Sequence, residues 1–215
     1  MRKSVSEKRS LLQQHDQSFL DQGFKSLAGV DEAGRGPLAG PVVASAVIVR
    51  DFSFSSRVDD SKKMTAAARN VAYEEILEKC LIGIGIIEPE SIDTLNIFQA
   101  TMKAMQLAVA QLKEPPECLL IDGPHHPEIS LKQFAIVNGD ALSFSIACAS
   151  VVAKVTRDRM MDYYDDFFPS YGFRRHKGYG TKEHLEALKK NGPCRIHRKS
   201  FEPVKSLITN KENFY

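Results

Sequence analysis

The sequence predicts an α/β fold with one central sheet. Three observations carry this: short Val/Ile-rich runs alternate with segments of helical periodicity, aspartates stand at the ends of several apolar runs, and no repeat or low-complexity tract interrupts the alternation. At 215 residues, 43% of them hydrophobic, the chain has enough apolar surface to build one substantial core.

Residues 1–25 are polar and Gln-rich, with Leu11, Leu12, Phe19 and Leu20 compatible with one amphipathic helix, and are expected to form an N-terminal extension. Ser26–Asp31 and Pro41–Arg50 read as two strands. Asp59-Asp-Ser-Lys-Lys63 reads as a charged turn capping a helix from Thr65 to Cys80. Leu81–Glu88 is a third strand, apolar enough to be buried on both faces. Pro89 opens a helix that carries Leu95, Phe98, Met102, Met105 and Val109 at helical spacing. Cys118–Asp122 and Phe134–Val137 are the fourth and fifth strands. Ser143 to Phe167 is a long helix with Ala147, Ala149, Ser150 and Ala153 on one close-packing face, and Thr181–Lys190 is a last clear helix.

The most apolar segment, Val42–Val49, is far too short to span a bilayer, and the N-terminus lacks the apolar stretch of a secretory signal. Cys80, Cys118, Cys148 and Cys194 are widely spaced, which indicates neither a zinc site nor a disulfide framework and points to the reducing cytoplasm. Cys148 is expected to be a packing residue. Net charge is +2, but residues 171–205 hold ten Lys/Arg against three Glu, a local +7 that leaves the rest near −5. Such a segment suits either a polyanion partner or a solvated surface.

Gly29-Val-Asp-Glu-Ala-Gly-Arg-Gly-Pro-Leu-Ala-Gly-Pro41 concentrates the chemistry. Asp31 and Glu32 end an apolar run, and a loop with Gly34, Arg35, Gly36 and Gly40 follows. Oxygen donors suit hard divalent cations, and glycines admit close backbone approach to a ligand. Asp122 and Asp140 also lie at or just beyond strand ends, where an α/β sheet gathers ligands. Consecutive strand residues face opposite ways, so Asp31 and Glu32 share a site only if the strand bends, with Ala33-Gly34 the plausible place. Taken singly each piece has an ordinary reading: a solvated strand end, a turn, a strand exit, and for Lys62-Lys63 a solvated helix start.

Together these segments resemble bacterial ribonuclease HII, the type 2 ribonuclease H. The matching blocks are Gly29–Val43, Asp60-Ser-Lys-Lys63, Ile121-Asp-Gly123, Gly139-Asp140, Ser145–Asp158, Tyr171-Gly-Phe173, His176-Lys-Gly-Tyr-Gly-Thr181 with His184, and His197-Arg-Lys-Ser-Phe201. The resemblance covers residues 26–205 as a catalytic domain with a basic helical C-terminal part, leaving 206–215 as a tail. It implies a ribonuclease H-like fold, a five-stranded mixed sheet flanked by helices. It also implies an Mg2+- or Mn2+-dependent endonuclease that hydrolyses the RNA strand of RNA–DNA hybrids. The same family cuts 5′ of ribonucleotides embedded in duplex DNA, leaving 5′-phosphate and 3′-hydroxyl ends.

By the same resemblance, Asp31, Glu32, Asp122 and Asp140 are metal-binding catalytic carboxylates, two ions acting together. Gly34-Arg35-Gly36 reads the ribose 2′-OH, Tyr179 packs on the next sugar, and Lys62 and Lys63 hold phosphates. His176 and His184 are expected to support rather than catalyse. Asn138 departs from the family pattern, which often has lysine there. The implied partners are RNA–DNA hybrid and ribonucleotide-containing DNA duplex, with no membrane, and the protein is expected to act as a monomer. The alternatives are a type 3 ribonuclease H, whose extra N-terminal domain the 28 residues before Gly29 are too few to supply, and a non-catalytic hybrid binder of the same fold, which would be expected to have lost a carboxylate.

Overall fold

The computed structural model describes residues 5–212; the outermost parts of both predicted terminal segments, residues 1–4 and 213–215, lie outside the described residues. Five strands form one mixed sheet: β1 (Leu27–Ala33), β2 (Val42–Val49), β3 (Cys80–Ile87), β4 (Cys118–Asp122) and β5 (Lys132–Ile136), in the spatial order β3-β2-β1-β4-β5. β1 pairs antiparallel with β2, and β2 with β3. β4 runs parallel to both β1 and β5. The register that opposes Val30 to Ile121 brings the next residues, Asp31 and Asp122, to the same rim of the sheet.

Two helical layers cover the faces. On one side lie α1 (Val5–Leu20), α2 (Ala66–Lys79) and α5 (Phe144–Phe167), whose buried residues join Val47 in one core. On the other lie α3 (Pro89–Leu95) and α4 (Ile97–Ala110), which enclose Val30, Ala44 and Ile121. The short helix α6 (Phe173–His176), α7 (Lys182–Asn191) and α8 (Val204–Glu212) complete the C-terminal part; α8 runs into the segment expected to be a tail. Among the described residues no helix is long and apolar enough to cross a membrane.

The predicted small-residue face of α5 is buried, and it packs close. A side chain on Gly29 would lie 2.1 Å from the carbonyl carbon of Ser145, so β1 and the start of α5 touch backbone to backbone.

Four sequence expectations need correction. The helix opened by Pro89 breaks at Asn96, whose backbone turns to φ 69° and whose side chain caps α4 by accepting from the Gln99 N–H at 3.1 Å. The face that meets β3 is therefore Ala100, Ala104, Met105 and Ala108, while Leu95 is exposed. β3 is an edge strand rather than one buried on both faces, and Ile86 is exposed. Asp60 caps only a 3-10 turn at Ser61–Lys63; Thr65 caps α2 by accepting from Ala68. Leu11 of the N-terminal helix points to solvent, whereas Leu12 enters the core.

Polar contacts dock α1 on the body. Asp16, fully buried, accepts from the Ser145 N–H at 2.8 Å and from its hydroxyl. Ser143 accepts from Ile146 at 3.2 Å, so two orphan N–H groups in the first turn of α5 are met by side chains. Lys8 pairs with Asp59 and Arg9 donates to the Phe54 carbonyl. Asp16→Ala is expected to lower stability by about 1–3 kcal/mol by leaving a buried donor unpaired, as measured by urea denaturation; an unchanged midpoint would show that α1 does not cap α5.

Candidate active site

β1 continues through Asp31 and Glu32 to Ala33, and the chain turns at Gly34, where φ is 97°. The turn thus falls just beyond the carboxylates. Asp31 is buried and its Oδ1 accepts from the Glu32 N–H at 2.7 Å. Glu32, half-buried, faces Arg35 at 3.3 Å. Asp122 accepts from the Gly139 N–H at 2.7 Å, which draws the 3-10 turn Gly139–Ala141, and Asp140 with it, onto the end of β4. Asn138, just before that turn, is left-handed at φ 57°, a conformation asparagine tolerates better than lysine.

The four carboxylates share one electrostatic neighbourhood. Burial, then Glu32 and Asp122, push Asp31 well above the usual carboxylate range, against a hydrogen bond from Ser150. Burial also raises Glu32, opposed by Arg35. Burial, Asp60 and Asp122 lift Asp140 to about 6. Lys62 stands among them: burial opposes its charge, but Asp31, Asp140, Asp60 and Asp122 outweigh burial and hold its pKa above the ordinary value. Lys63 instead pairs with Asp60 at 2.9 Å. The two lysines, equivalent in the sequence reading, have different surroundings. Among the described residues, no three or more His, Cys, Asp or Glu side chains are gathered as a metal-holding group. Asp31, Glu32 and Asp122 are each turned to a nearby N–H or guanidinium, and Asp140 to Asp60.

Beside this rim opens a cavity of about 360 Å³, lined among others by Glu32, Gly34, Arg35, Gly36, Lys62, Lys154 and Tyr179. Gly36 looks across it, since a Cβ built there meets only the Tyr179 ring at 3.8 Å. The cavity therefore brings Gly34, Arg35, Gly36, Lys62 and Tyr179 together with Glu32, and leaves Lys63 outside its lining.

Two residues that the sequence does not mark as part of the site hold the loop that forms its wall. Arg157 donates to the carbonyls of Pro41 (2.9 Å), Ala39 (3.0 Å) and Lys177 (3.0 Å). Arg198 donates to those of Gly40 (3.0 Å), Arg35 (2.8 Å), Pro41 (3.2 Å) and Gly34. Both are buried, and burial lowers both pKa values, to about 10 and about 9, which leaves them cationic at neutral pH. A side chain on Gly34 would strike the Arg157 guanidinium at 2.1 Å. These arginines also revise the reading of the basic segment. Arg198 is engaged by backbone carbonyls, Arg174 pairs with Asp165 and Asp166, Arg175 with Glu183 and Lys177 with Asp162. Lys182 remains 91% exposed, so only part of the segment is surface charge. Asp60, Ser61 and Ser150 were also missed as neighbours of the carboxylates, although the first two lie in the Asp60-Ser-Lys-Lys63 block.

Comparison with known proteins accounts for this arrangement. Residues 28–204 match the family model described as Ribonuclease HII. The chain is 49% identical over 213 residues to a Ribonuclease HII of Bacillus cytotoxicus, covering 98% of this chain and 82% of that protein. It is 55% identical over 186 residues to one of Syntrophobacter fumaroxidans, covering 86% and 80%. Among solved structures it superposes on the ribonuclease H2 of Pyrococcus horikoshii OT3 with a TM-score of 0.73 at 23% identity, covering 87% of this chain and 99% of the other, which shows a shared fold. This chain belongs to the ribonuclease HII family.

Proposed function

We propose that this endoribonuclease of RNA–DNA hybrids cuts by a divalent-metal mechanism and also incises DNA duplexes 5′ of an embedded ribonucleotide, leaving 5′-phosphate and 3′-hydroxyl ends. The observation that carries this reading is the junction of the buried carboxylate cluster with a glycine-walled cavity facing Tyr179.

The donor set fits Mg2+ or Mn2+. It consists of carboxylate oxygens, the ligands hard cations prefer, and burial followed by like-charged neighbours raises the pKa of Asp31 and Asp140. Asp31, Glu32, Asp122 and Asp140 would hold the ions, with Glu32 exchanging its Arg35 contact and Asp122 using the oxygen other than the Oδ1 that accepts from Gly139. Two such ions supply an activated water and neutralise the departing 3′-oxygen. Asp31, the most buried of the four, would be the central ligand of such a site. Lys62 offsets the cluster charge and is placed to meet a phosphate at its edge, while Lys63 contributes only by leaving Asp60.

The loop Gly34-Arg35-Gly36 presents backbone to the cavity, which suits recognition of a 2′-OH, the group that separates RNA from DNA. Tyr179, 44% exposed and opposite Gly36, offers a flat apolar face to the following sugar. A 2′-OH on that second sugar would crowd the ring, so the site reads a step from ribose to deoxyribose. We read the protein as acting as a monomer. All four cysteines are free thiols, in keeping with a cytoplasmic protein.

Asp31→Asn is expected to lower cleavage of a labelled hybrid at least a hundredfold while duplex binding in EDTA stays within about twofold, because affinity comes mainly from phosphate contacts. Full cleavage by the folded variant would remove Asp31 from the site.

Tyr179→Ala is expected to lose activity at a single-ribonucleotide junction more than on an all-RNA strand, and Tyr179→Phe to keep most of both. Equal losses on the two substrates would mean that Tyr179 reads no junction.

Stability should respond to pH in a defined direction. Asp140 holds a proton in the folded state that the unfolded chain releases, so its contribution is present below about pH 4 and lost as pH rises through about 6. In EDTA at pH 7.5, Asp140→Asn should melt roughly 2–6 °C above the parent protein, with the gap closing near pH 4. Added Mg2+ or Mn2+ should raise the parent's Tm more than the variant's. A variant less stable than the parent at pH 7.5 would contradict the placement of Asp140 among like charges.

A further inference from the structure

His176, His184 and His197 take no part in the site as described, yet they are 7%, 0% and 1% exposed and form one cluster. The His176 and His184 rings stack with centroids 4.4 Å apart, and Phe173 packs against all three. Their hydrogen bonds leave one arrangement of protons. The Cys194 backbone N–H donates to His197 Nδ1 at 3.0 Å, so a neutral His197 carries its proton on Nε2. That atom lies 3.0 Å from His184 Nε2, which must accept. His184 then carries its proton on Nδ1, 2.9 Å from the carbonyl oxygen of Tyr179. Likewise Gly178 donates its N–H to His176 Nδ1 at 3.2 Å, leaving Nε2–H for the Tyr171 carbonyl at 2.8 Å. Both nitrogens of each ring are used, once as donor and once as acceptor, only while all three rings are neutral.

The chain of bonds ends on the peptide of Tyr179. Its N–H donates to the His176 carbonyl at 2.9 Å, and its own carbonyl accepts from the Thr181 N–H at 2.8 Å and from His184. The ring itself is exposed, faces Gly36 across the cavity and lies near the Arg157 guanidinium, 6.0 Å from its centroid. Its position over the cavity is therefore set by the backbone that carries it.

We propose that His184 and His197 are positioning residues: a neutral, tautomer-locked relay from the Cys194 backbone to the Tyr179 carbonyl that holds the tyrosine ring opposite Gly36. This deepens the reading of Tyr179 above and rests on it. Burial keeps both rings neutral, lowering His184 and pushing His197 down to about 4. A second proton on either would set two N–H groups against each other across the 3.0 Å contact.

The test uses two substitutions that differ in which nitrogen they preserve. The amide of His184→Asn superposes on Nδ1 and keeps a donor for Tyr179; that of His184→Gln superposes on Nε2 and keeps only the contact to His197. The readout is the ratio of single-turnover cleavage rates on a single-ribonucleotide duplex and an all-RNA strand, with thermal melts and Tyr179→Ala run alongside. His184→Gln should lower the ratio about tenfold, the worth of one lost hydrogen bond, and His184→Asn should restore most of it. A His184→Gln ratio at the parent value, with Tyr179→Ala lowering it, overturns the relay and leaves the tyrosine reading standing. A parent-like ratio in Tyr179→Ala overturns the reading, and the relay's role falls with it. Should the substitutions not fold, 15N shifts of the imidazoles in the unaltered protein decide: Nδ1–H on His184 and Nε2–H on His197 are expected, and the reverse tautomer on His184 overturns the proposal.

Discussion

Two buried guanidiniums govern the geometry of this protein's site. Arg157 from α5 and Arg198 from the C-terminal part donate to backbone carbonyls of Gly34, Arg35, Ala39, Gly40 and Pro41, and Arg157 reaches onward to Lys177. Neither has a carboxylate among these hydrogen-bond acceptors: carbonyl oxygens meet the donors, while Asp158 and Asp93 act on Arg157 and Arg198 electrostatically. A buried cation is costly unless its donors are satisfied, and the loop that satisfies them is held as firmly as they are. The glycine loop therefore behaves as part of the core although it lines an open cavity. The fork of an arginine suits this task, because its donors reach several acceptors at fixed angles.

The carboxylate cluster depends on that rigidity from the other side. The parallel register of β1 and β4 sets Asp31 beside Asp122, and the Asp122–Gly139 hydrogen bond brings Asp140 to them. The cost is burial of charge, compounded by like-charged neighbours, visible in the raised pKa values of Asp31, Glu32 and Asp140. Lys62 offsets part of it from the short turn capped by Asp60. Stability and function thus pull against each other at the rim: Asp31, Glu32 and Asp140, which would hold cations, are groups whose protonated form the cation-free fold favours more than the unfolded chain does.

Much of this was legible in the sequence because its signals are local. The strands that carry Asp31 and Asp122, the long helix beginning near Ser143 and its small-residue face all follow from periodicity and composition, although β1 runs two residues beyond Asp31. The break at Asn96 was missed because nothing in the apolar spacing announces a positive φ. The edge position of β3 was missed because an apolar run does not show which strand lies outside. Arg157 and Arg198 were invisible as site residues for a more general reason. In the sequence they read as helix and surface charge, and only the fold shows their forks buried against carbonyls far away along the chain. The histidines joined by one hydrogen-bonded chain were hidden in the same way.

Recognition, on this view, rests on a loop fixed by the two arginines. Arg198→Lys tests that most directly, since lysine keeps the charge but cannot span four carbonyls as the fork does. The measurement is single-turnover cleavage of a duplex with one ribonucleotide, under conditions where a thermal melt shows the variant folded. The expected result is a loss of at least tenfold in rate at that ribonucleotide, with duplex binding in EDTA little changed. A folded Arg198→Lys protein that cleaves at the parent rate would contradict it.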